Sequence, residues 1–478
     1  MRFTKTLIAS ATVLLLAGCV SVGPDYKAPV EKPVTLLGVD PAKQSTQNFQ
    51  ADWWNRFDDP TLNALIQRAA KNSPDLKIAV ARLAESRALL GVSKSAQIPD
   101  IETVGAYSRA KEQQPGFTET RPTVTSYQAG FDASWEVDIF GGVRRSVEAA
   151  GADAAATEAS LHDAQVTLFA EVARYYFDLR GTQQRIAVAE RDIENQTESL
   201  RLIRARSEIG TGSDQDVASA SARLSSVQAQ LPQLRTEEQA DGYRIAVLLG
   251  ERPGELDVDI SPTTFRPIDV SLPIGGAEDV LTRRPDIRIA ERELAAANAR
   301  IGVAKAEYFP HVSLGGFIGF LAGRSNDFGS AATRAWSLAP SISWSGLNVQ
   351  RVRSGVKASE ARADAALANY QRTVLQALED VDNALVGYNQ QRERVEHLMD
   401  QVTQSKRAAE LAKIRYNEGA TDYLESLDAE RTQLTAEEDL AEAEAAINVR
   451  AVSLYKALGG GWEACGDEHC AKVADASH

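Results

Sequence analysis

Few residues in this chain have the type and spacing to do chemistry. Five histidines are scattered, His162, His311, His397, His469 and His478. No His-Glu-x-x-His pair would hold zinc on one helix face, no Gly-x-Ser-x-Gly elbow presents a nucleophile, and no Gly-Lys-Ser/Thr loop cradles phosphate. An enzyme is not the expectation, and no metal site or cofactor is assigned. The three cysteines are more informative. Cys465 and Cys470 flank His469 in the C-terminal tail, and outside the cytoplasm they are expected to close a small disulfide. Cys19 ends an apolar run, Leu7 to Ala17, that follows the basic residues Arg2 and Lys5. That order is a signal peptide with a cysteine at its cleavage site.

The run Leu16-Ala17-Gly18-Cys19 resembles the lipobox of bacterial lipoproteins. The resemblance implies cleavage after Gly18 and acyl chains on Cys19. Val20, where an aspartate would retain the protein, implies sorting to the outer membrane. Several acyl chains anchor firmly where a single one is marginal. The net charge of −14 argues against a nucleic-acid surface. After the signal segment no apolar run of helical spanning length exists, so any membrane span is a β-barrel.

The elements that must position such groups are duplicated. Pro74 to Pro99 recurs 211 positions later as Pro285 to Pro310 without a gap, with eleven identities that include Leu83/Leu294, Ala88/Ala299 and Gly91/Gly302. Each copy reads as one helix opening on Pro-Asp and closing before a proline. Two tandem repeats follow. The expected organisation is a signal peptide at 1–18, an extended lipid-anchored segment at 19–50 and a first repeat at 51–250. That repeat holds a β-hairpin at 101–140 and a helical hairpin at 143–249. A connector at 251–279 leads to a second repeat at 280–460, with a β-hairpin at 311–345 and a helical hairpin at 347–458. A tail at 461–478 ends the chain.

Tyr127 to Phe140 alternates strictly, with Phe131, Trp135 and Val137 on one face and Asp132, Ser134 and Glu136 on the other. Ile101–Ser108, His311–Phe320 and Trp336–Trp344 read as three further strands. Four strands of this length suit an outer-membrane barrel, yet about eight are needed to close one. If they span a membrane, several subunits must share one barrel. The long helical stretches keep heptad spacing, as in Ile186, Ala189, Ile193, Gln196, Leu200, Ile203 and Ser207, which means coiled-coil seams. Gly210 and Gly419 suit the turns of the two helical hairpins. Ser213 or Asp214, and Thr421 or Asp422, suit the caps that follow.

These parts together resemble the TolC-like outer-membrane efflux proteins, in the lipidated OprM-type (NodT-like) branch. The residues that carry the resemblance are Cys19 with Gly23-Pro24-Asp25-Tyr26, Trp53-Trp54 with Phe57-Asp58-Asp59-Pro60, Asp138-Ile139-Phe140-Gly141-Gly142, both hairpin turns, and Leu454 to Trp462. The resemblance implies a mostly α fold with a transmembrane β-barrel. Three subunits would share twelve strands and a long coiled-coil α-barrel that crosses the periplasm. It implies the exit duct of a tripartite efflux system in the outer membrane. The homotrimer would work with a periplasmic membrane-fusion adaptor and an inner-membrane pump of the resistance-nodulation-division class. A type I secretion component and a lipid-anchored periplasmic coiled coil are the alternatives. The family's periplasmic gate falls on Asp428, Glu425, Arg431 and Tyr416, with Asp216 as the tyrosine's hydrogen-bond partner. The adaptor-contact tips fall on Gly210 and Gly419. Thr421 stands where some members have a locking arginine, so that lock is not expected here.

Overall fold

The computed structural model describes residues 21–29, 36–37, 44–45, 50–111, 123–263, 268, 272–273, 276–345 and 348–464. The signal segment, Cys19, Cys465, Cys470 and most of the loop expected after Lys111 lie outside these residues. In chain order the elements are β1 (Gln44–Ser45), α1 (Pro60–Asn72), α2 (Pro74–Ser95), β2 (Asp100–Lys111), β3 (Thr123–Val137), α3 (Gly142–Glu208), α4 (Asp214–Leu248), β4 (Leu272–Pro273), α5 (Ala277–Arg283), α6 (Pro285–Ala306), β5 (His311–Ala322), β6 (Arg334–Ser343), α7 (Val349–Asn417) and α8 (Tyr423–Ala457). From α1 to α4 and from α5 to α8 the order is the same. The repeated helices α2 and α6 are both 22 residues, and the return helices α4 and α8 are both 35. The helices α3 and α7, of 67 and 69 residues, run without a break, each about 100 Å at ~1.5 Å per residue. No helix among the described residues is long and apolar enough to cross a membrane.

The chain divides into two compact units that cut across the repeats, since each draws segments from both halves. One comprises residues 1–31, 82–158 and 288–372 and holds a single antiparallel sheet of order β2-β3-β5-β6. The register sets Phe131 opposite Thr103 and Ile318, and Ile318 opposite Trp336. Ile101, Phe131, Ile318, Trp336, Leu338 and Ile342 therefore share one face, and all are exposed, Trp336 to 79%. Glu102, Gln128, Asp132, Glu136, Ser313 and Ser341 share the other. On that face His311 Nδ1 lies 2.7 Å from Glu136 and the Ser313 and Ser341 hydroxyls meet at 2.8 Å. The sheet is thus unlike that of a soluble protein, because its apolar face is exposed rather than packed on a core.

The second unit comprises residues 32–81, 159–287 and 373–478. Its core is built around Trp53, which stacks on Tyr455 at 5.2 Å and meets Trp54 edge-on at 5.6 Å. The Phe57-Asp58-Asp59-Pro60 run is a helix start. Asp58 takes the left-handed conformation (φ 49°), Asp59 accepts the Thr61 and Leu62 amides at 2.9 and 3.1 Å, and Pro60 opens α1. The second Asp59 oxygen accepts the buried Tyr176 hydroxyl at 2.5 Å. Gly250 (φ +75°) and Gly459 (φ +72°) end α4 and α8. A Cβ on Gly250 would stand 2.9 Å from the Asn72 carbonyl oxygen, and one on Gly459 2.9 Å from the Arg284 Cα. Asn72 and Arg284 sit at equivalent junctions just before α2 and α6, so the duplication is legible in packing as well as in order. The two-residue β1 pairs in parallel with β4, a link between the 19–50 segment and the connector that has no sequence pattern. The return helices differ at one point: α4 carries Pro232 at mid-length, and α8 has Ala441 there.

The two faces of the sheet make opposite predictions for one charge. Leu338→Arg, on the apolar face of β6, is expected to destabilise the membrane-inserted protein by about 2–4 kcal/mol, and Ser337→Arg by much less. Urea unfolding in lipid vesicles measures both. Equal losses would mean that the apolar face does not meet lipid.

Candidate functional site: the helical hairpin tips

The site in question is the far end of the two helical hairpins, within the second unit. Both turns end their long helix the same way. Gly210 (φ +76°) and Gly419 (φ +72°) take the left-handed position. The following amides, Thr211 and Ala420, reach back five residues to the Arg206 and Arg415 carbonyls at 2.9 Å each. A side chain at either glycine would meet no atom but would be strained by its φ. Of the alternatives for the next cap, Ser213 and Asp422 are used. Ser213 Oγ accepts the Asp216 amide at 3.1 Å, and Asp422 accepts the Glu425 amide at 3.0 Å.

The two hairpins meet through a small apolar cluster, Leu200 and Ile203 of α3, Ala220 of α4 and Tyr423 of α8, flanked by Tyr416 and Leu427. The heptad seam Val217, Ala220, Leu224, Val227 and Leu234 is buried or half-buried as its spacing predicts. Tyr416 lies against Tyr423 at 5.5 Å and under the Arg206 guanidinium at 4.6 Å. The expected Asp216–Tyr416 hydrogen bond is not made within the chain. Asp216 instead closes a capping box, accepting the Ser213 amide at 3.2 Å. A helix N-terminus offers that carboxylate two unsatisfied amides and a positive dipole end, which outcompete a neutral phenol. Burial first, then the charges of Glu430 and Asp216, push the Tyr423 hydroxyl up to about 12.

The candidate gate acids are separately occupied. Asp428 pairs with Arg431 at 2.9 Å one turn along the same exposed surface, a pair worth about 0.2–0.5 kcal/mol. Glu425 is tied to the turn before its helix, accepting Arg415 at 2.7 Å and the Thr421 hydroxyl. Thr421, at the position of the absent arginine lock, therefore holds Glu425.

Sequence reasoning missed a polar knot higher in the same seam. The buried Gln196 donates to Asp192 and to Glu430, each at 3.3 Å, and Arg223 reaches Asp192 at 3.4 Å. It ties α3, α4 and α8 at one level. Burial raises the Asp192, Glu430 and Glu438 carboxyls above their usual range. The visible signal was Gln196 itself, an amide at a seam position where its neighbours are apolar. Buried polar groups in a coiled coil fix register at some cost in stability. Nearer the other end of α4, Asp241 is raised to about 6 by burial, by the facing Asp178 of α3 and by Glu237 one turn earlier on its own helix.

Known proteins share this arrangement. A family model described as outer membrane efflux protein matches residues 65–251 and 277–460, which are the two repeats. The antibiotic efflux pump outer membrane protein ArpC of Pseudomonas putida is 30% identical over 474 residues, covering 96% of each chain. The probable outer membrane lipoprotein SilC of Salmonella typhimurium is 28% identical over 478 residues, 96% of this chain and 99% of that one. Among solved structures, the outer-membrane channel OprN superposes with a TM-score of 0.90 at 44% identity, over 93% of this chain and all of that one.

The raised Asp241 gives a pH dependence with a definite sign. Its folded pKa lies above the unfolded value, so its favourable contribution is present in acid and is lost as pH rises through about 6. Asp241→Asn is expected to raise the thermal midpoint at about pH 7.5, and the gain is expected to fade below about pH 4. Circular dichroism melts at the two pH values decide it. A midpoint unchanged at the higher pH would remove the facing-acid account.

Proposed function

The chain belongs to the outer membrane efflux protein family, and on that premise we propose that three copies form the exit duct of a tripartite efflux system. The protein is an outer-membrane efflux component, and its parts suit passage rather than catalysis. The carrying observation is the four-stranded sheet. One of its faces is apolar yet exposed, and its edge strands β2 and β6 each have one paired neighbour among the described residues. Lipid tolerates no open backbone edge. A closed barrel built from such sheets needs more than one copy, and three supply twelve strands.

The repeats support the same count from a second direction. α6 buries Ala295, Ala299 and Gly302, while the identical Ala84, Ala88 and Gly91 of α2 stay exposed among the described residues. A Cβ on Gly302 would meet Arg145 at 2.7 Å, whereas one on Gly91 would meet nothing within 4 Å. The start of α3 covers α6, with Gly142 against Ala306. The repeat counterpart of that segment is the start of α7, so α2 is proposed to dock on α7 of a neighbouring copy. Ile78, Leu89 and Val92 on α2, all exposed, would be covered there.

The remaining assignments complete the reading. Cys19 carries the acyl anchor. The hairpin tips near Gly210 and Gly419 receive a periplasmic adaptor, which couples the duct to an inner-membrane pump of the resistance-nodulation-division class. Asp428 and Glu425, with Arg431, form the acidic constriction. Tyr416 supports it through Arg206 and Tyr423, with Asp216 bracing the neighbouring helix start. An acidic passage of this kind favours cations over anions.

Native mass spectrometry in detergent is expected to find three copies and planar bilayers a conducting species. Ala88→Arg, at a position exposed in the single chain, is expected to leave one copy and no conductance. A conducting, inserted single copy would refute the shared barrel. Asp428→Ala combined with Tyr416→Ala is expected to raise single-channel conductance about twofold or more, through loss of an exposed ion pair worth about 0.2–0.5 kcal/mol and a cation–π contact worth about 0.5–1 kcal/mol. Unchanged conductance would put the constriction elsewhere.

A further inference from the structure

The Gly23-Pro24-Asp25-Tyr26 run lies along α6 and is held by one buried cation. Arg145, near the start of α3, is 4% exposed. Its guanidinium donates to the Val22 carbonyl at 3.1 Å, the Gly23 carbonyl at 3.5 Å and the Asp25 carboxylate at 2.7 Å, and to Glu148 on its own helix at 2.7 Å. Around it the strap is fitted closely. The Val22 amide donates to the Phe140 carbonyl at 3.1 Å, just past the end of β3. Gly23 (φ +98°) passes over Gly302, where a Cβ on Gly23 would stand 2.5 Å from the Gly302 Cα. Asn298 donates to the Pro24 carbonyl at 3.1 Å, and the Tyr26 hydroxyl donates to Glu291 at 2.6 Å. Each residue of the run thus has a partner, and three of the contacts converge on Arg145. The repeat explains why this is a dedicated device. The position 209 residues after Arg145 is Ser354, which has no guanidinium to offer.

We propose that Arg145 is a positioning residue that clasps the strap at residues 22–25 to the foot of the sheet, fixing where the chain leaves the body toward its lipid anchor. Ser21 packs on Gly141, with a Cβ there meeting the Ser21 Oγ at 2.6 Å, so the tether beyond it is only two residues long from Cys19. The clasp makes the anchor and the sheet one mechanical part, and this rests on reading Cys19 as the acylated residue.

The test is limited chymotrypsin digestion of the full protein in lipid vesicles, following by mass spectrometry the N-terminal peptide released at Tyr26. Cleavage at the exposed Tyr243, in the other unit, serves as the reference for general unfolding. Arg145→Gln is expected to speed release about tenfold or more and Asp25→Asn, whose carboxylate is largely exposed, about three- to fivefold, with the Tyr243 rate unchanged, because proteolysis follows local opening. If Arg145→Gln speeds both cuts, the milder Asp25→Asn decides. Release within about twofold of the natural protein in Asp25→Asn would overturn the clasp. The mass of the released peptide reports separately on acylation. A peptide without acyl chains would overturn the anchor reading while leaving the clasp measurement standing.

Discussion

The constraint on which this structure depends is that a β-sheet inside lipid must have no free edge. Each unpaired amide or carbonyl in hydrocarbon costs several kcal/mol, and no side chain on a four-stranded sheet can repair a whole open edge. A chain whose described residues offer this sheet only β2, β3, β5 and β6 would satisfy that rule by sharing, as proposed above. The exposures on the sheet fit such a state. The sheet can leave Trp336 and Ile342 uncovered because lipid, not protein, is to cover them. The polar face can carry Asp132 and Glu136 because it has water in front of it.

The internal duplication carries a second lesson. Two segments that match at eleven positions without a gap, those of α2 and α6, differ in environment within one chain. The matching Ala and Gly positions fit the proposal that both helices are packed against, α6 within the chain and α2 by a neighbouring copy. Where the contact is internal in both repeats, the geometry agrees closely, as at Gly250 and Gly459.

Much of this was legible before any coordinates, for physical reasons. The strands alternate because one face meets lipid and the other water, and the hairpin turns end on glycine because only it takes φ near +75° without cost. The seams of α3, α4 and α7 follow heptad spacing over many turns, which averages out local ambiguity. What escaped was what periodicity cannot encode. β1 and β4 are two residues long. Arg145 looked like one of several basic residues after the hairpin, because a buried cation and a solvated one have the same letter. The cap that Asp216 makes with the Ser213 amide was not foreseen, because the family resemblance directs attention to Tyr416 rather than to the carboxylate's own helix start. The Gln196 knot combines residues from three helices whose relative heights no single seam reveals.

Pro232 has a consequence for compliance. Proline offers no amide to the Gln228 carbonyl and crowds it, which softens a helix at that level. The Thr236 hydroxyl donates to the Pro232 carbonyl at 2.9 Å, so the next turn is altered too. α8, with alanine in the matching place, keeps its ladder. In an assembly of three copies, six similar hairpins would therefore alternate between soft and stiff. Such a ring resists uniform dilation, in which every hairpin bends alike, and yields instead to a mode in which every second hairpin swings. In the proposed trimer the duplication would make the ring nearly sixfold in form, and one imino acid would make it threefold in elasticity.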